Sequence, residues 1–386
     1  VKMYFKMIKI IIITTFLISL SSSQNTRYLD EVFDEVIKTE DVVYANAPDL
    51  PFIFLFEWNT VDIDLDMDIY EPAGDTLTNR PAIIFIHTGA FFSGHNNLDD
   101  VVDLSITSAK RGYVSFNINY RLGLNILSTY SGERAVYRGV QDASAAIRYI
   151  REFHEELGVD PNKIFIWGSS AGSFIGLHLT YSQDDERPES TYGSGSDPDL
   201  GCIDCEGNNF LHNSKPNALI SCWGAIGDLD WIDLEDNIPT IMFHGTLDPI
   251  VPFNYGFPFT IDIALPIVYG SNLIHDRLNE LAIENQLYVG EGELHEYWGA
   301  LNGNWFGGPN ENYTQIINDS YQFLYNQLDL FQSGDLNSDE IVNILDVVLL
   351  VNIILDLNPF NSSGDINLDG QIDILDVIQL VNIILT

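Results

Sequence analysis

The residue types best suited to chemistry are one serine, one histidine and a few acids. Ser170 lies in Gly168-Ser169-Ser170-Ala171-Gly172, a G-x-S-x-G pentapeptide. KIFIW before it has the composition of a buried strand, and SFIGLHLTY after it reads as a helix. A strand, a tight turn and a helix would lift the Ser170 hydroxyl above a sheet, with the glycines relieving crowding. A hydroxyl is a weak nucleophile until a base takes its proton. On such a turn the acid and the base follow in the order Ser, Asp, His. Asp248, in HGTLDP beyond the strand-like PTIMFHG, and His295, beyond LYVGEGE, fit that order. His295 would serve as base and then acid, while Asp248 orients the imidazole and stabilises its charged form. Asp228 and Asp230, beyond the preceding strand, are rival acids, whereas His154 and His178 read as packing or surface residues and His244 as a structural one. His87-Thr88-Gly89-Ala90-Phe91 follows the strand PAIIFI. The amides of Gly89, Ala90 and Ala171 are therefore the expected donors to a substrate oxyanion.

A second set of acids lies at the C-terminus. Residues 334–355 and 364–385 repeat with a 30-residue period and match at 14 of 22 positions, so they are two copies of one loop-helix unit. Neither copy could bury its apolar face alone. In the second loop Asp365, Asn367, Asp369, Asp373 and Asp376, with the carbonyl of Gln371, have the spacing of an oxygen cage for Ca²⁺. In the first loop Asp335, Asn337, Asp339, Asn343 and Asp346 do so around the Ile341 carbonyl. Gly370 occupies the sharp-turn position in the second loop and Glu340 in the first, so the second site is expected to bind more tightly. The pairs Ile344-Leu345 and Ile374-Leu375 would form a partner face or pack on the rest of the chain.

These groups must be held by elements. Short apolar runs at 61–70, 81–87, 113–120, 163–168, 217–224 and 239–245 alternate with helical patterns, the clearest over 133–157. Such alternation predicts an α/β fold with a doubly wound, mostly parallel sheet. The polar stretch 182–215 is expected to run over the surface. Among three cysteines, Cys202 and Cys205 lie in that stretch and Cys222 in a strand; one disulfide is expected, with its pairing open. Phe91, Phe92, Trp223, Trp231 and Trp298 surround the catalytic turns as core or pocket wall, with Phe91, Phe92, Trp223 and Trp298 the candidate substrate pocket.

The 386 residues carry 17 Lys plus Arg against 56 Asp plus Glu, a net charge of −39 that argues against nucleic-acid binding. Lys2, Lys6 and Lys9 precede the apolar run 10–20 and then Ser21, Ser22 and Ser23, the three-part form of a secretory signal. The expected organisation is a signal over 1–23, a catalytic domain over 24–331 and a calcium-binding repeat domain over 334–386, in an exported protein without a membrane span after cleavage.

HTGAFFSG, NYRLG, GSSAG, HGTLDP and the His295 turn stand in the order seen in one family. Residues 61–328 resemble an α/β-hydrolase of the esterase/lipase group whose oxyanion loop reads H-G-G-[GA]-F. Two departures stand out: Thr88 where the pattern has glycine, and Ser169 where many relatives have an acid. The resemblance implies a serine carboxylic ester hydrolase that forms an acyl-enzyme and needs no cofactor for catalysis. The C-terminal repeat resembles a type I dockerin, which implies a cohesin partner and an enzyme of polymer breakdown. Acetyl or feruloyl esters of polysaccharide are the expected substrates. A polyester, or no turnover at all in a hydrolase-like assembly module, are the alternatives.

Overall fold

The computed structural model describes residues 27–50, 57–125, 128, 130–260, 266–299, 301–305, 307–328, 334–337, 341–355, 357–358, 361–366 and 371–385. The expected signal over 1–23 lies outside the described residues. The chain divides into two compact units, Val1–Asn318 and Asp319–Thr386. That division falls inside a helix, at another position than the 331–334 boundary expected from the sequence.

In the first unit the strands are β1 (Val36–Asp49), β2 (Val61–Pro72), β3 (Arg80–Ile86), β4 (Val114–Ile118), β5 (Val159–Ser169), β6 (Ala218–Cys222), β7 (Ala225–Ile226), β8 (Thr240–Gly245), β9 (Tyr255–Gly256), β10 (Val268–Gly270) and β11 (Asn285–Gly290). Eight of them form one sheet in the order β1-β2-β4-β3-β5-β6-β8-β11, and β7-β10-β9 form a small second sheet. The β1/β2 and β2/β4 pairs are antiparallel, and every later pair in the large sheet is parallel. Successive side chains of a strand face opposite sides of the sheet. Ala82, Ile84 and Ile86 of β3 accordingly join the main core with Ile147 and Leu177, while Ile83 and Phe85 are buried on the other side. Such two-sided burial is why these strands read as continuous apolar runs.

Helices α1 (Asp99–Arg111), α2 (Ser131–Glu152), α3 (Ala171–Tyr181), α4 (Ser271–Glu280) and α5 (Glu311–Asn326) complete the order, α5 running across the division between the units. Asp99 and Asp100 open α1 and Lys110 and Arg111 close it, the charges of Asp99, Lys110 and Arg111 matching the helix dipole. Gly112, at φ 104°, caps it in the left-handed conformation. The single helix expected over 133–157 is broken: α2 ends at Glu152, and a separate turn at His154–Leu157 stops at Gly158, φ 61°.

The excursion over 182–215 is fastened to α2 mainly through its own backbone, with further ties from the side chains of Ser190, Asp204 and Asn208. Arg134 donates to the carbonyls of Ser190 and Pro198, and Tyr137 to that of Gly201. Gln141 reaches Leu200 and Cys202, and Arg148 reaches Glu206 and Asn208. Cys202 and Cys205 form the disulfide, leaving Cys222 as a buried free thiol.

In the second unit, α6 (Ile344–Ile354) and α7 (Ile374–Leu385) pack around Leu336, Leu350, Ile366 and Leu380. Each helix starts on a polar cap, Asn343 accepting from the Leu345 amide and Asp373 from the Leu375 amide. Ile344, Leu345, Ile374 and Leu375 are exposed. Among the described residues no helix is long and apolar enough to cross a membrane.

Candidate active site

Because β3, β5, β8 and β11 are parallel, the turns after their carboxyl ends meet at one edge of the sheet. Those turns carry Thr88, Gly89 and Ala90, then Ser170, Asp248 and His295. Ser170 is the junction between β5 and α3, with φ 51° and ψ −112°. The turn is tight enough to dictate its neighbours. A Cβ at Gly168 would lie 2.4 Å from the Gly172 oxygen, and one at Gly172 would lie 2.0 Å from the Ile86 oxygen. Both glycines of the pentapeptide are thus required by close approach. The Ser170 amide donates to the Cys222 carbonyl at 3.0 Å, tying the turn to β6.

His295 Nε2 lies 2.8 Å from Ser170 Oγ and accepts its proton, while His295 Nδ1 donates to Asp248 Oδ2 at 2.6 Å. The other oxygen of Asp248 accepts the amides of Ile250 at 2.8 Å and Val251 at 2.9 Å. His244 also approaches Asp248, its Nε2 3.3 Å from the same Oδ2. Burial disfavours the Asp248 charge, but hydrogen bonds from His244 and His295 outweigh it and hold the carboxyl well below the usual range. The acid therefore stays ionised beside the imidazole. Asp228 and Asp230 are elsewhere: the Asp228 carboxylate accepts the Asp230 amide and lies on a separate cavity.

Residues Gly89, Ala90 and Phe91 take left-handed angles, with φ 130°, 55° and 58°. Only position 89 strictly demands glycine, since a Cβ there would fall 1.8 Å from the Ser93 oxygen. Thr88 is not among the left-handed residues, which explains why threonine fits where the family pattern has glycine. The amides of Gly89, Ala90 and Ala171 have no acceptor among the described residues. His87 stacks on Tyr120 at 4.3 Å and is driven down to about 4 by burial, so it is a neutral support under the loop. Ser169 accepts the Trp223 indole N–H at 2.9 Å, a contact that an acid would not be needed to make.

The space above Ser170 is small, about 20 Å³, and apolar, walled by Ala90, Phe91, Phe174, Ile250, Val251 and Phe259. Phe174 also borders a cavity of about 380 Å³, with Tyr137, His178, Glu189, Asp228 and Trp231 on its walls. Of the four expected pocket residues, only Phe91 lines the slot. Phe92 is 65% exposed and points elsewhere. Trp223 and Trp298 are fully buried and meet edge to face at 4.7 Å, with Trp223 6.3 Å from the His295 ring. Trp223 backs the histidine, Trp298 backs Trp223, and neither lines the slot. His178 is a cavity wall rather than a surface residue. The sequence reading missed Phe174, Ile250, Val251 and Phe259, although Ile250 and Val251 directly follow the acid turn that it singled out.

In the second unit the acids at position 12 of each loop serve the backbone. Asp346 accepts the amides of Leu336 at 2.8 Å, Asn337 at 3.1 Å and Asn343 at 2.8 Å. Asp376 accepts those of Ile366 and Asp373, each at 2.8 Å. Asp335, Asn337, Ile341, Asn343, Asp365, Gln371 and Asp373 flank them, and Asp339, Asn367 and Asp369 lie outside the described residues. The donors are all oxygen, the type that a hard cation takes. Among the described residues no three acidic, histidine or cysteine groups converge on a metal-sized space.

The BD-FAE family model matches residues 67–229, the stretch from β2 to just beyond β7. Juvenile hormone esterase of Tribolium castaneum is 34% identical over 117 residues, which is 30% of this chain and 20% of that protein. Human neuroligin-2 is 33% identical over 109 residues, 28% of this chain and 12% of that protein. A thermophilic esterase of Thermogutta terrifontis with propionate bound aligns at 25% identity and a TM-score of 0.48, covering 70% of this chain and 93% of that one. The chain is thus similar to carboxylesterase-like α/β-hydrolases, and it spans a fifth or less of the length of the two curated relatives named here.

Proposed function

We propose that this chain is a serine carboxylic ester hydrolase, and the observation that carries the reading is the unbroken line from Ser170 Oγ through His295 to Asp248. In the first step Ser170 Oγ attacks the ester carbonyl carbon while His295 Nε2 takes its proton. The resulting oxyanion is received by the amides of Gly89, Ala90 and Ala171, each such donor contributing about 3 kcal/mol in the transition state. Asp248 holds the imidazolium by charge without taking its proton. Collapse of the tetrahedral adduct expels the alcohol oxygen, which receives the proton from Nε2, and leaves Ser170 acylated. Water then repeats the sequence from the other side, releasing the acid and restoring the hydroxyl.

The slot of about 20 Å³ supports a small acyl group, acetyl rather than feruloyl, and the 380 Å³ cavity beyond Phe174 supports a bulky alcohol such as a sugar unit. The acidic repeats support a calcium-loaded, dockerin-like module that docks on a cohesin, and the first residues support export. Together these favour esters of polysaccharide. In the calcium reading Asp335, Asp346 and the neighbouring oxygens of the first loop hold one ion, and Asp365, Asp376 and those of the second loop hold another, each charge balancing carboxylates that otherwise repel one another. A second reading, a hydrolase-like module without turnover, has in its favour a similar protein, neuroligin-2, whose name is not an enzyme's.

Aryl esters of increasing acyl length, run beside acetylated xylan and a polyester film, test the proposal. Fastest turnover on acetyl, with acetate released from xylan, is expected. Hydrolysis of the film alone would replace the substrate class, and inactivity towards all of them would favour the second reading.

A further inference from the structure

Two buried side chains beside the triad have no part in the steps above. Thr88 is the second residue after β3 and Glu296 directly follows His295, and both are almost completely buried. The Thr88 hydroxyl donates to Glu296 Oε1, and the Gly303 amide donates to Oε2 at 3.1 Å. The Asn302 amide is a third donor to the same carboxylate. Glu296 has a left-handed backbone, φ 49°, that turns its side chain back from the histidine turn towards the oxyanion loop.

A second acid stands on the far side of Gly303. Asp100 is fully buried, and a Cβ at Gly303 would lie 2.6 Å from its Oδ1. The two carboxyls are not equivalent. Asp100 Oδ1 accepts the Val101 amide, and Oδ2 has no partner among the described residues. Burial and the neighbouring Glu296 push Asp100 well above the usual carboxyl range. Burial leaves Glu296 raised as well, although His295 and the Thr88 and backbone donors oppose it. Three donors on Glu296, against two backbone amides on Asp100 (its own and that of Val101) with Oδ2 left without a partner among the described residues, assign the negative charge to Glu296 and the proton to Asp100.

We propose that Thr88 and Glu296 are a positioning pair, which locks the oxyanion loop to the histidine turn and sets a fixed negative charge beside His295. The pair rests on the ester-hydrolase reading of the site. It joins parts of the machinery that sequence places 208 residues apart. The oxyanion donors follow Thr88 directly, and the base precedes Glu296 directly, so one hydrogen bond sets their relative placement. A glycine at 88, as in the family pattern, could not make it. The groups facing His295 are then Ser170 at Nε2, Asp248 at Nδ1, the Trp223 ring, and Glu296 by charge. His244 stands beyond Asp248, and neutral Asp100 beyond Glu296.

The test compares Thr88→Val, Thr88→Ser and Glu296→Gln with the wild type in the full chain. It reads thermal midpoint, kcat and KM on an aryl acetate, the pH profile of kcat/KM, and the rate at which a fluorophosphonate labels Ser170. Thr88→Val keeps the shape but not the donor, and it should lower kcat at least ~10-fold with KM nearly unchanged, because displacements well under an ångström at reacting groups are costly. Thr88→Ser should restore most of that rate. Glu296→Gln should lower kcat and move the acid limb of kcat/KM to lower pH, since the imidazolium loses a neighbouring negative charge. Equal kcat for the valine and serine variants in folded protein, or an acid limb unmoved in Glu296→Gln, would overturn the pair while leaving the hydrolase reading intact. If the wild type hydrolyses no ester but is labelled by fluorophosphonate, the functional reading fails. The same valine-against-serine contrast in labelling rate then decides on the pair. A wild type that is neither active nor labelled overturns both.

Discussion

Asp248 in the first unit and Asp346 in the second are both buried carboxylates, and both are held by backbone amides. Asp248 gives one oxygen to the amides of Ile250 and Val251 and turns the other towards His295. Asp346 spends both oxygens on the amides of Leu336, Asn337 and Asn343, all within its own loop. The same chemical group, anchored in nearly the same way, therefore acts outward in one unit and inward in the other. What separates them is the presence of a titratable partner at the free oxygen. A carboxylate with a histidine there tunes a proton transfer, whereas one without it organises the loop that carries it.

The largest effect that could break this contrast is removal of the nucleophile. Ser170→Ala should lower kcat on an aryl acetate by roughly 10⁵- to 10⁶-fold with the fold intact by circular dichroism, since a triad acts as a unit. Near-normal turnover would dissolve the distinction between the two acids altogether. Next, Asp248→Asn should cost roughly 10⁴-fold, because the amide favours the wrong tautomer of His295 while keeping the backbone bonds. A loss no larger than tenfold would put Asp248 in the same class as Asp346.

Acid pH sharpens the same point at intermediate size. kcat/KM should fall reversibly at acid pH as the base takes a proton. Asp248 behaves oppositely. Its folded value is depressed, so the stability it contributes is complete above the ordinary carboxyl value of about 4 and is lost only as pH falls below that, through the folded value. The activity lost at pH 5 should therefore return on neutralisation without any unfolding signal. A flat profile down to pH 4.5 would remove the histidine base.

The smallest expected effect on turnover comes from the second unit. Asp346→Ala leaves three amides without their acceptor and should loosen the module, read as faster proteolysis within 334–386 of the full chain. Chelation should do the same if the loops hold calcium. Aryl acetate turnover should stay within twofold in both cases. Immediate loss of turnover on chelation, with the module still resistant, would locate a metal requirement in the first unit.

Much of the site could be read from the sequence because its constraints are local. A hydroxyl on a glycine-flanked turn between a strand and a helix leaves a short, contiguous pattern, and so does each turn that follows a buried strand. β1 escaped because it is an edge strand with charged residues and two register shifts, between Thr39 and Val42 and between Val43 and Ala45. These shifts break the period-two alternation by which half-buried strands are recognised. The slot wall at Phe259 depends on left-handed backbone at a non-glycine residue, φ 58°, which composition does not announce. The bond between Thr88 and Glu296 was out of reach for another reason: it exists only once β3 and β11 lie in one sheet. The tryptophans were misplaced because size and proximity in sequence do not say which face of a turn a side chain takes.

The attachment of the excursion to α2 has a consequence for how specificity can change over generations. Arg134, Tyr137, Gln141 and Arg148 grip carbonyl oxygens, and every residue type offers the same carbonyl. The helix thus dictates the route of the excursion largely through groups that every residue type shares, with added side-chain ties at Ser190, Asp204 and Asn208. Pro188 and Glu189, which border the larger cavity, can be exchanged without releasing any of those grips, whereas Ser190 also donates its hydroxyl to Glu133 of the helix. Substrate choice and fold maintenance are in this way written largely on different atoms of the same segment. A lineage can revise the first by point changes while the second is inherited intact.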